Sequence, residues 1–300
     1  MVAGSRRVQK DFGGGYSPFV IGSLLVLFLP LLTFSVLPII EGLRLSFFDY
    51  GPGERVSAFV GLANYYNLMG DRVFRISILN TFKFVALVVP LNLCLSLPLA
   101  IGLNSVERAK GTLRAAYFLP TVTSIVAVSI VWIYLYNPFM GLVNVVVEAL
   151  GFQPHDWLSE PQWALPAIAV MWVWRDLGYN IVVFLAGLQG IPPTFYEAAR
   201  VDGAQGWHLF RHITLPLLRP VFQFVLIMTA LSAFKVFAPM QVMTGGGPMR
   251  STTILVLYVY ENAFEYLKMG PAAAASVVLF VIILAITLLQ LTRFRTEWEY

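Results

Sequence analysis

Six long apolar runs divide the chain and constrain its fold more than any other feature of the sequence. Apolar residues make up 58% of the 300 residues and charged residues only 12%, whereas soluble globular proteins carry about 25% charged residues. A helix that crosses a bilayer needs ~20 predominantly apolar residues. The sequence therefore predicts an all-α, polytopic membrane protein with six transmembrane helices, over residues 19–40, 79–103, 113–136, 163–187, 221–243 and 272–291.

The charges between these runs predict the orientation of the chain. The first run follows three basic residues, but it is longer than the ~7 to 15 residues of a signal-peptide core, so we interpret it as a retained span. With the N-terminus inside, eleven of the 20 Lys and Arg residues fall in cytoplasmic segments and seven outside. Because cytoplasmic loops carry the excess of basic residues, we expect one membrane domain, residues 19–293, between cytoplasmic tails at 1–18 and 294–300.

One polar segment, residues 190–220, separates the fourth and fifth apolar runs. Thr194 and Glu197 have the Thr-x-x-Glu spacing of a capping box, which predicts that a short helix begins there. Ala198 and Ala199 give this helix a low-profile face, and Gly203 suits the left-handed conformation that ends many helices. The pattern indicates a docking surface and not a catalytic site.

The residue order of this segment, EAARVDGAQG and then ITLP, resembles the EAA loop of binding-protein-dependent ABC importer permeases. Further strings resemble the sugar-permease branch of that family, so the resemblance covers nearly the whole chain; they are FVGLANYYNL, FLPTVTS, WIYLYNPFMGLVN, AGLQGIP and MTGGGP. In the family this loop is a cytoplasmic coupling helix that sits in a cleft of the ATPase subunit. The resemblance implies that the contact is made by Glu197, Ala198, Ala199, Asp202, Gly203, Ala204 and Gly206.

The resemblance also implies an assembly. The chain would be a transport subunit in a prokaryotic inner or plasma membrane, and its partners would be a second homologous permease, two ATPase subunits, an extracytoplasmic solute-binding protein and the lipid bilayer. The external segments 41–78 and 137–162 are the expected landing surface for the binding protein. Within the second of them, residues 142–150 are apolar enough to lie on the membrane surface or against a partner.

Features that the sequence lacks bear on the energy source and on cofactors. No Gly-Lys pair occurs, and hence no phosphate-binding P-loop, so ATP and Mg²⁺ would be used by the separate ATPase subunit. His208 and His212 have no third ligand near them in sequence, so no metal site is expected. The scattered basic residues form no stripe for nucleic acid. The chain is therefore expected to bind no cofactor and not to be an enzyme.

Polar residues inside the apolar runs are candidates for the substrate pathway, because such residues are costly in hydrocarbon. Trp172, Asp176, Tyr179 and Asn180 share one helical face that could stack on a sugar ring and bond its hydroxyls. Arg175 is a further candidate in this run. The fifth run adds Ser232, Lys235 and Gln241.

Several alternatives remain open at the level of sequence. The charged residues Arg175, Asp176 and Lys235 could instead pair with other helices and serve packing. An anionic substrate such as glycerol-3-phosphate would favour Arg175 or Lys235 as its partner, whereas a neutral sugar would favour the face of Asp176, Tyr179 and Asn180. An ion-coupled secondary transporter is a different class of protein; it usually has internal repeats, and we find no convincing repeat.

Overall fold

The structure is a computed structural model that describes residues 18–51, 58–106 and 110–293, so nearly all of the two predicted tails lies outside it. In chain order its helices are α1 (Pro18–Leu31), α2 (Leu37–Leu45), α3 (Ala63–Gly70), α4 (Arg72–Asn104), α5 (Lys110–Val122), α6 (Ile125–Leu135), α7 (Leu142–Ala149), α8 (Pro161–Gln189), α9 (Pro193–Val201), α10 (Trp207–Leu209), α11 (Leu215–Leu217), α12 (Arg219–Phe234), α13 (Ala238–Met243), α14 (Leu255–Tyr260) and α15 (Met269–Arg293). Single π-helical turns occupy Leu32–Val36, Phe210–Thr214 and Glu261–Glu265. The strands β1 (Phe48–Asp49) and β2 (Ala58–Phe59) pair antiparallel, with Phe48 opposite Phe59.

Four of the predicted spans are helices long and apolar enough to cross a membrane. They are Gly22–Leu45, Arg72–Asn104, Pro161–Gln189 and Met269–Arg293. Helix α4 begins before its apolar run because Asp71 caps it, with its carboxylate accepting the Val73 N–H at 2.7 Å. The polytopic, mainly helical architecture is confirmed for the described residues.

The third and fifth predicted spans are not continuous helices, which corrects the prediction for 113–136 and 221–243. Within 113–136, Gly111–Val122 and Ile125–Leu135 meet at 98°, and within 221–243 helix α12 ends at Phe234 and α13 begins at Ala238. A further bend, of 69° between Trp207–Leu217 and Arg219–Phe234, precedes the fifth predicted span. Counting each bent pair as one span gives six among the described residues. Helix α12 also ends before the predicted limit, because the ring of Pro239 would clash with the carbonyl of Lys235, four residues earlier.

Helices α4, α8 and α12 pack together and form the main core with parts of α6 and α13. Large side chains such as Phe84, Phe184 and Met171 are fully buried there. Helix α5 crosses α8 at Gly178, where a Cβ atom would overlap the carbonyl oxygen of Tyr117. Glycine is therefore required at this crossing, as is common where membrane helices approach closely.

A second, smaller core lies where α3, α4, α14 and α15 meet, around Phe74, Leu255 and Tyr258. In contrast, the apolar N-terminal helix Gly22–Leu45 has none of its side chains buried within the chain over its most apolar window. Its apolar side chains suit a lipid or protein environment supplied from outside the chain.

Candidate coupling segment and pathway residues

Residues 193–206 follow α8, and the capping box predicted at Thr194 and Glu197 does not form there. Helix α9 starts at Pro193 after Pro192, with no side chain capping its first turn. Thr194 is therefore inside the first turn and does not act as the cap. Proline favours the first helical position because its φ angle is already helical and it has no N–H to satisfy, so the two prolines set the start of the helix.

The end of α9 is as predicted from Gly203. Gly203 has φ +83°, and its N–H donates to the carbonyl of Arg200 at 3.0 Å, while the Ala204 N–H donates to that of Ala199 at 2.9 Å. These two bonds are the pattern of a Schellman motif, which satisfies the last carbonyls of a helix. The motif turns the chain sharply before α10.

Most residues of segment 193–206 are exposed. Glu197, Ala198, Asp202, Gly203 and Gly206 are open to solvent, and Ala199 and Ala204 are half-buried. Apolar side chains are exposed beside them: Val201 is 87% and the adjoining Trp207 66% exposed. A concavity of about 360 Å³ is lined by Arg200, Ala204, Gln205, Gly206 and Leu209.

Among the described residues, one side-chain hydrogen bond ties segment 193–206 to the rest of the chain. It joins the Tyr196 hydroxyl and the Thr214 Oγ1 at 3.1 Å. Small residues, an acidic side chain and apolar neighbours therefore share one largely exposed surface.

The predicted pathway residue Asn180 lies inside the three-helix core. Its Nδ2 donates to Asn92 Oδ1 at 2.7 Å and to Thr229 Oγ1 at 2.9 Å, and its side chain is only 1% exposed. These bonds join α8 to α4 and α12 and offset the cost of burying the amide. Sequence reasoning did not single out Asn92 and Thr229, although both are polar residues within apolar helices.

Arg175 contacts α5 instead of an acidic partner. Its Nη2 donates to the Thr121 carbonyl at 3.4 Å, and the Thr121 hydroxyl donates to the Arg175 carbonyl at 2.9 Å. The guanidinium also lies over the Trp172 ring, 5.7 Å from its centroid. Because Thr121 is in the last turn of α5, the cation is placed at the negative end of a helix dipole. This contact supports the alternative that Arg175 serves helix packing.

The other candidates of α8 differ in exposure. Trp172 is buried, Asp176 is half-buried and Tyr179 is 37% exposed. No ion pair involves Asp176 among the described residues. On the predicted four-residue face, Trp172 and Asn180 are therefore buried, whereas Asp176 and Tyr179 are at least partly exposed.

The candidates from the fifth run lie around the helix break. Lys235 is exposed and follows the last residue of α12. Its charge is therefore next to the negative end of that helix. The Ser232 hydroxyl donates to the Thr229 carbonyl at 3.3 Å, and Gln241 is half-buried on α13.

Residues 244–253, which we call the glycine loop, contain the TGGGP string. The Thr252 hydroxyl donates to the Gly247 carbonyl at 2.8 Å and that of Thr253 to the Gly246 carbonyl at 3.1 Å. From α4, Asn80 donates to the carbonyls of Arg250 and Thr253, at 2.9 and 3.1 Å. The loop is therefore fixed to α4 by its backbone.

Two further contacts anchor the glycine loop and its continuation. Arg250 Nη1 lies 2.7 Å from an oxygen of Glu261, which is only 5% exposed. Burial lowers the pKa of Arg250, but bonds to Tyr266 and Glu261 outweigh burial and raise it above its ordinary value. The Tyr258 hydroxyl donates to Asp71 at 2.7 Å, and burial, followed by this bond, raises the pKa of Tyr258.

Comparison with known proteins gives the context for these features. Residues 92–292 match the family described as binding-protein-dependent transport system inner membrane component. The trehalose/maltose transport permease MalF of Thermococcus litoralis is 36% identical over 290 residues, covering 94% of this chain and 97% of the relative. The glycerol-3-phosphate transport permease UgpA of Agrobacterium fabrum is 35% identical over 235 residues, covering 78% and 80%.

Solved structures agree with this match. A chain of a bacterial ABC transporter that imports the acidic polysaccharide alginate superposes with a TM-score of 0.80 at 25% identity, covering 92% of this chain and 95% of that one. A bacterial alginate ABC transporter in complex with an alginate pentasaccharide-bound periplasmic protein superposes with the same TM-score of 0.80 at 25% identity, covering 92% of this chain and 94% of that one. These relatives are transport subunits and not enzymes, as predicted for this chain. The chain thus belongs to the family of inner membrane components of binding-protein-dependent transport systems.

Proposed function

We propose that the chain is one permease subunit of an ATP-driven importer and forms half of the pathway for a sugar or sugar-like solute. The observation that carries this proposal is the nearly full-length similarity to a trehalose/maltose permease. The likeness to an alginate importer that was captured with its periplasmic protein supports a carbohydrate substrate delivered by an extracytoplasmic binding protein.

The exposed segment 193–206 is the proposed contact with the ATPase. Glu197, Ala198 and Ala199 lie on α9, and Asp202, Gly203, Ala204 and Gly206 follow it, all at least partly exposed. In the proposed assembly two ATPase subunits bind ATP and Mg²⁺, a second homologous permease completes the pathway, and both chain termini are cytoplasmic. Closure of the ATPases would move α9, and the helices on either side of it would carry that movement into the membrane.

The exposed pathway residues suit two classes of substrate. The exposed Tyr179 and half-buried Asp176 suit the hydroxyl groups of a neutral sugar, whereas the exposed ammonium of Lys235 suits an anion. Similarity to a glycerol-3-phosphate permease supports the second candidate, a polyol phosphate. Uptake of labelled trehalose, lactose and glycerol-3-phosphate by the complete complex distinguishes these candidates.

A pair of charge variants tests the proposed coupling contact. Glu197→Lys places a bulky cation in segment 193–206, so we expect ATP hydrolysis to continue while solute uptake falls at least several-fold, with membrane insertion unchanged. Glu265→Lys is the matched control, because Glu265 is also exposed but lies outside the segment; it should keep the ratio of ATP hydrolysed to solute moved. An unchanged ratio in Glu197→Lys and in Gly203→Arg rules against the assignment.

A further inference from the structure

Helix α7 and its flanks present an apolar surface that no described residue covers. Seven large side chains along residues 139–152 are between 57% and 93% exposed; they are Phe139, Met140, Leu142, Val145, Val146, Leu150 and Phe152. We call these seven the apolar ridge. Contiguous apolar surfaces of this kind mark contacts with a partner or a membrane.

The opposite face of α7 is fixed to the protein, so the apolar ridge cannot turn inward. Asn144 is 5% exposed, and its Nδ2 donates to the His155 carbonyl at 2.9 Å while its Oδ1 accepts the Trp157 Nε1–H at 2.7 Å. On a helix, Asn144 and Glu148 each lie about 160° from Val146. Glu148 is the only charged residue in 139–152, and it lies at the edge of the apolar ridge, opposite Val146 and about 60° from Val145.

The neighbours of α7 indicate its position relative to the membrane surface. Only six residues separate it from the end of α6, and the intervening Tyr136 donates its hydroxyl to the Ala167 carbonyl of α8 at 2.8 Å. The ring of Tyr136 is 6.1 Å from Trp157, and that of Trp157 is 5.5 Å from Trp163 in the first turn of α8. Tyr and Trp gather at membrane–water boundaries, which indicates that α7 lies at this boundary.

We propose that residues 139–152 form an interfacial helix whose apolar ridge rests in lipid, at the end of the bundle opposite segment 193–206. Helix α6, which precedes the apolar ridge, also carries exposed apolar side chains, such as Val131 at 56% exposure. A soluble binding protein must dissociate during transport and would leave the apolar ridge in water, at a cost of about 25 cal/mol per Å². Lipid covers it at every stage.

The chemistry of the site also predicts which lipids matter. Interfacial helices commonly carry Lys and Arg that attract anionic headgroups, but residues 139–152 contain neither. Binding must therefore depend on burial of the apolar ridge in the acyl boundary. We expect it to be insensitive to anionic lipid and to salt.

Fluorescence quenching tests the proposal in the assembled importer. The Cys94→Ser substitution removes the only native cysteine of the chain. In this background, Val146→Cys is labelled with an environment-sensitive fluorophore and the complex is placed in phosphatidylcholine nanodiscs. Ser159→Cys is the control, because Ser159 is exposed in the same external segment. At position 146 we expect lipid-attached quenchers to reduce the fluorescence several-fold more than aqueous iodide does. At position 159 we expect them to reduce it less than iodide does. Adding phosphatidylglycerol should change neither result.

Three outcomes overturn the inference. Quenching of position 146 mainly by iodide shows that the apolar ridge is in water; quenching by neither agent shows cover by the second permease; and lipid quenching that disappears when the binding protein is added shows a docking surface. Leu142→Cys repeats the measurement at a second position of the apolar ridge. Solute uptake by the labelled complex is measured in parallel, so that failure of this inference is separate from failure of the proposed transport function.

Discussion

The glycine loop and segment 193–206 are both polar, glycine-containing turns at bundle ends, but they are held in opposite ways. Each contains glycines with positive φ, including one at +83°, Gly246 in the loop and Gly203 in the segment. The glycine loop is fixed to α4 through Asn80 and to Glu261 through Arg250. Segment 193–206 has one side-chain tether, from Tyr196, among the described residues.

The glycine loop is thus stabilised by contacts within the chain, whereas segment 193–206 has few such contacts. Elements with few buried contacts open locally at low free energy, whereas elements inside a bonded network open only with the whole domain. Substitutions in the glycine loop should therefore reduce stability. Substitutions in segment 193–206 should affect the proposed coupling, and they should reduce stability less than matched substitutions in the glycine loop.

Removing the cation of the glycine loop should have the largest effect. Arg250→Met leaves the Glu261 carboxylate buried without its partner, which we expect to cost about 3 kcal/mol of unfolding free energy. Arg200→Met in segment 193–206 is the control, since Arg200 is exposed and forms no ion pair with a described residue; it should change stability by less than about 0.5 kcal/mol. Thermal unfolding of the complex in detergent measures both. Equal losses would contradict the comparison.

The two glycines at φ +83° form a matched pair with a smaller expected effect. Alanine in a left-handed conformation costs about 1–2 kcal/mol at either position. Gly203→Ala meets open space, whereas the Cβ of Gly246→Ala lies 2.6 Å from Thr253 Oγ1, which is held by its bond to the Gly246 carbonyl. We expect Gly246→Ala to be the more destabilising by at least about 1 kcal/mol. The same melting temperature for both variants would show that the glycine loop is not packed as described.

The contact between Tyr258 and Asp71 gives a pH-dependent prediction. Tyrosine ionises near pH 10 when unfolded, and burial and the Asp71 bond raise the pKa of Tyr258 in the folded protein. Its contribution, about 1 kcal/mol for a hydrogen bond of this kind, should be complete below about pH 10 and be lost as the pH rises through the folded value. The stability difference between the wild type and Tyr258→Phe should therefore be constant from neutral pH to about pH 9 and shrink above pH 10. If the stability difference between the wild type and Tyr258→Phe grows with pH, the pKa of Tyr258 is lowered and not raised by folding.

The smallest effect is expected at the tether of segment 193–206. Tyr196→Phe removes the bond to Thr214, which we expect to cost about 0.6 kcal/mol. Hydrogen exchange of the α9 amides should accelerate, while that of α4 and α8 is unchanged. If the whole bundle exchanges faster, the tether supports global stability and segment 193–206 is less independent than we infer.

The sequence predicts features whose cause is local. Four spans follow from apolar runs long enough to cross a membrane, and the end of α9 follows from Gly203 alone. The capping box at Thr194 was wrong because Pro192 and Pro193, two adjacent residues, start the helix earlier. The break after Phe234 also has a local signal, in Pro239, which the apolar run obscured.

Contacts between distant residues could not be predicted in this way. Asn180 bonds to Asn92 and Thr229, which lie 88 and 49 residues away, and no spacing rule connects them. The same holds for Arg175 and Thr121, 54 residues apart. Sequence patterns identify such side chains as costly in a membrane, but only the packing of the helices shows which groups satisfy them.

The crossing of α5 and α8 at Gly178 has a mechanical consequence. Backbone is in direct contact with backbone there, and one turn earlier on α8 the bonds between Arg175 and Thr121 join the two helices a second time. A displacement of α8 at this crossing would therefore disturb its contacts with α5 as well as those with its own neighbours.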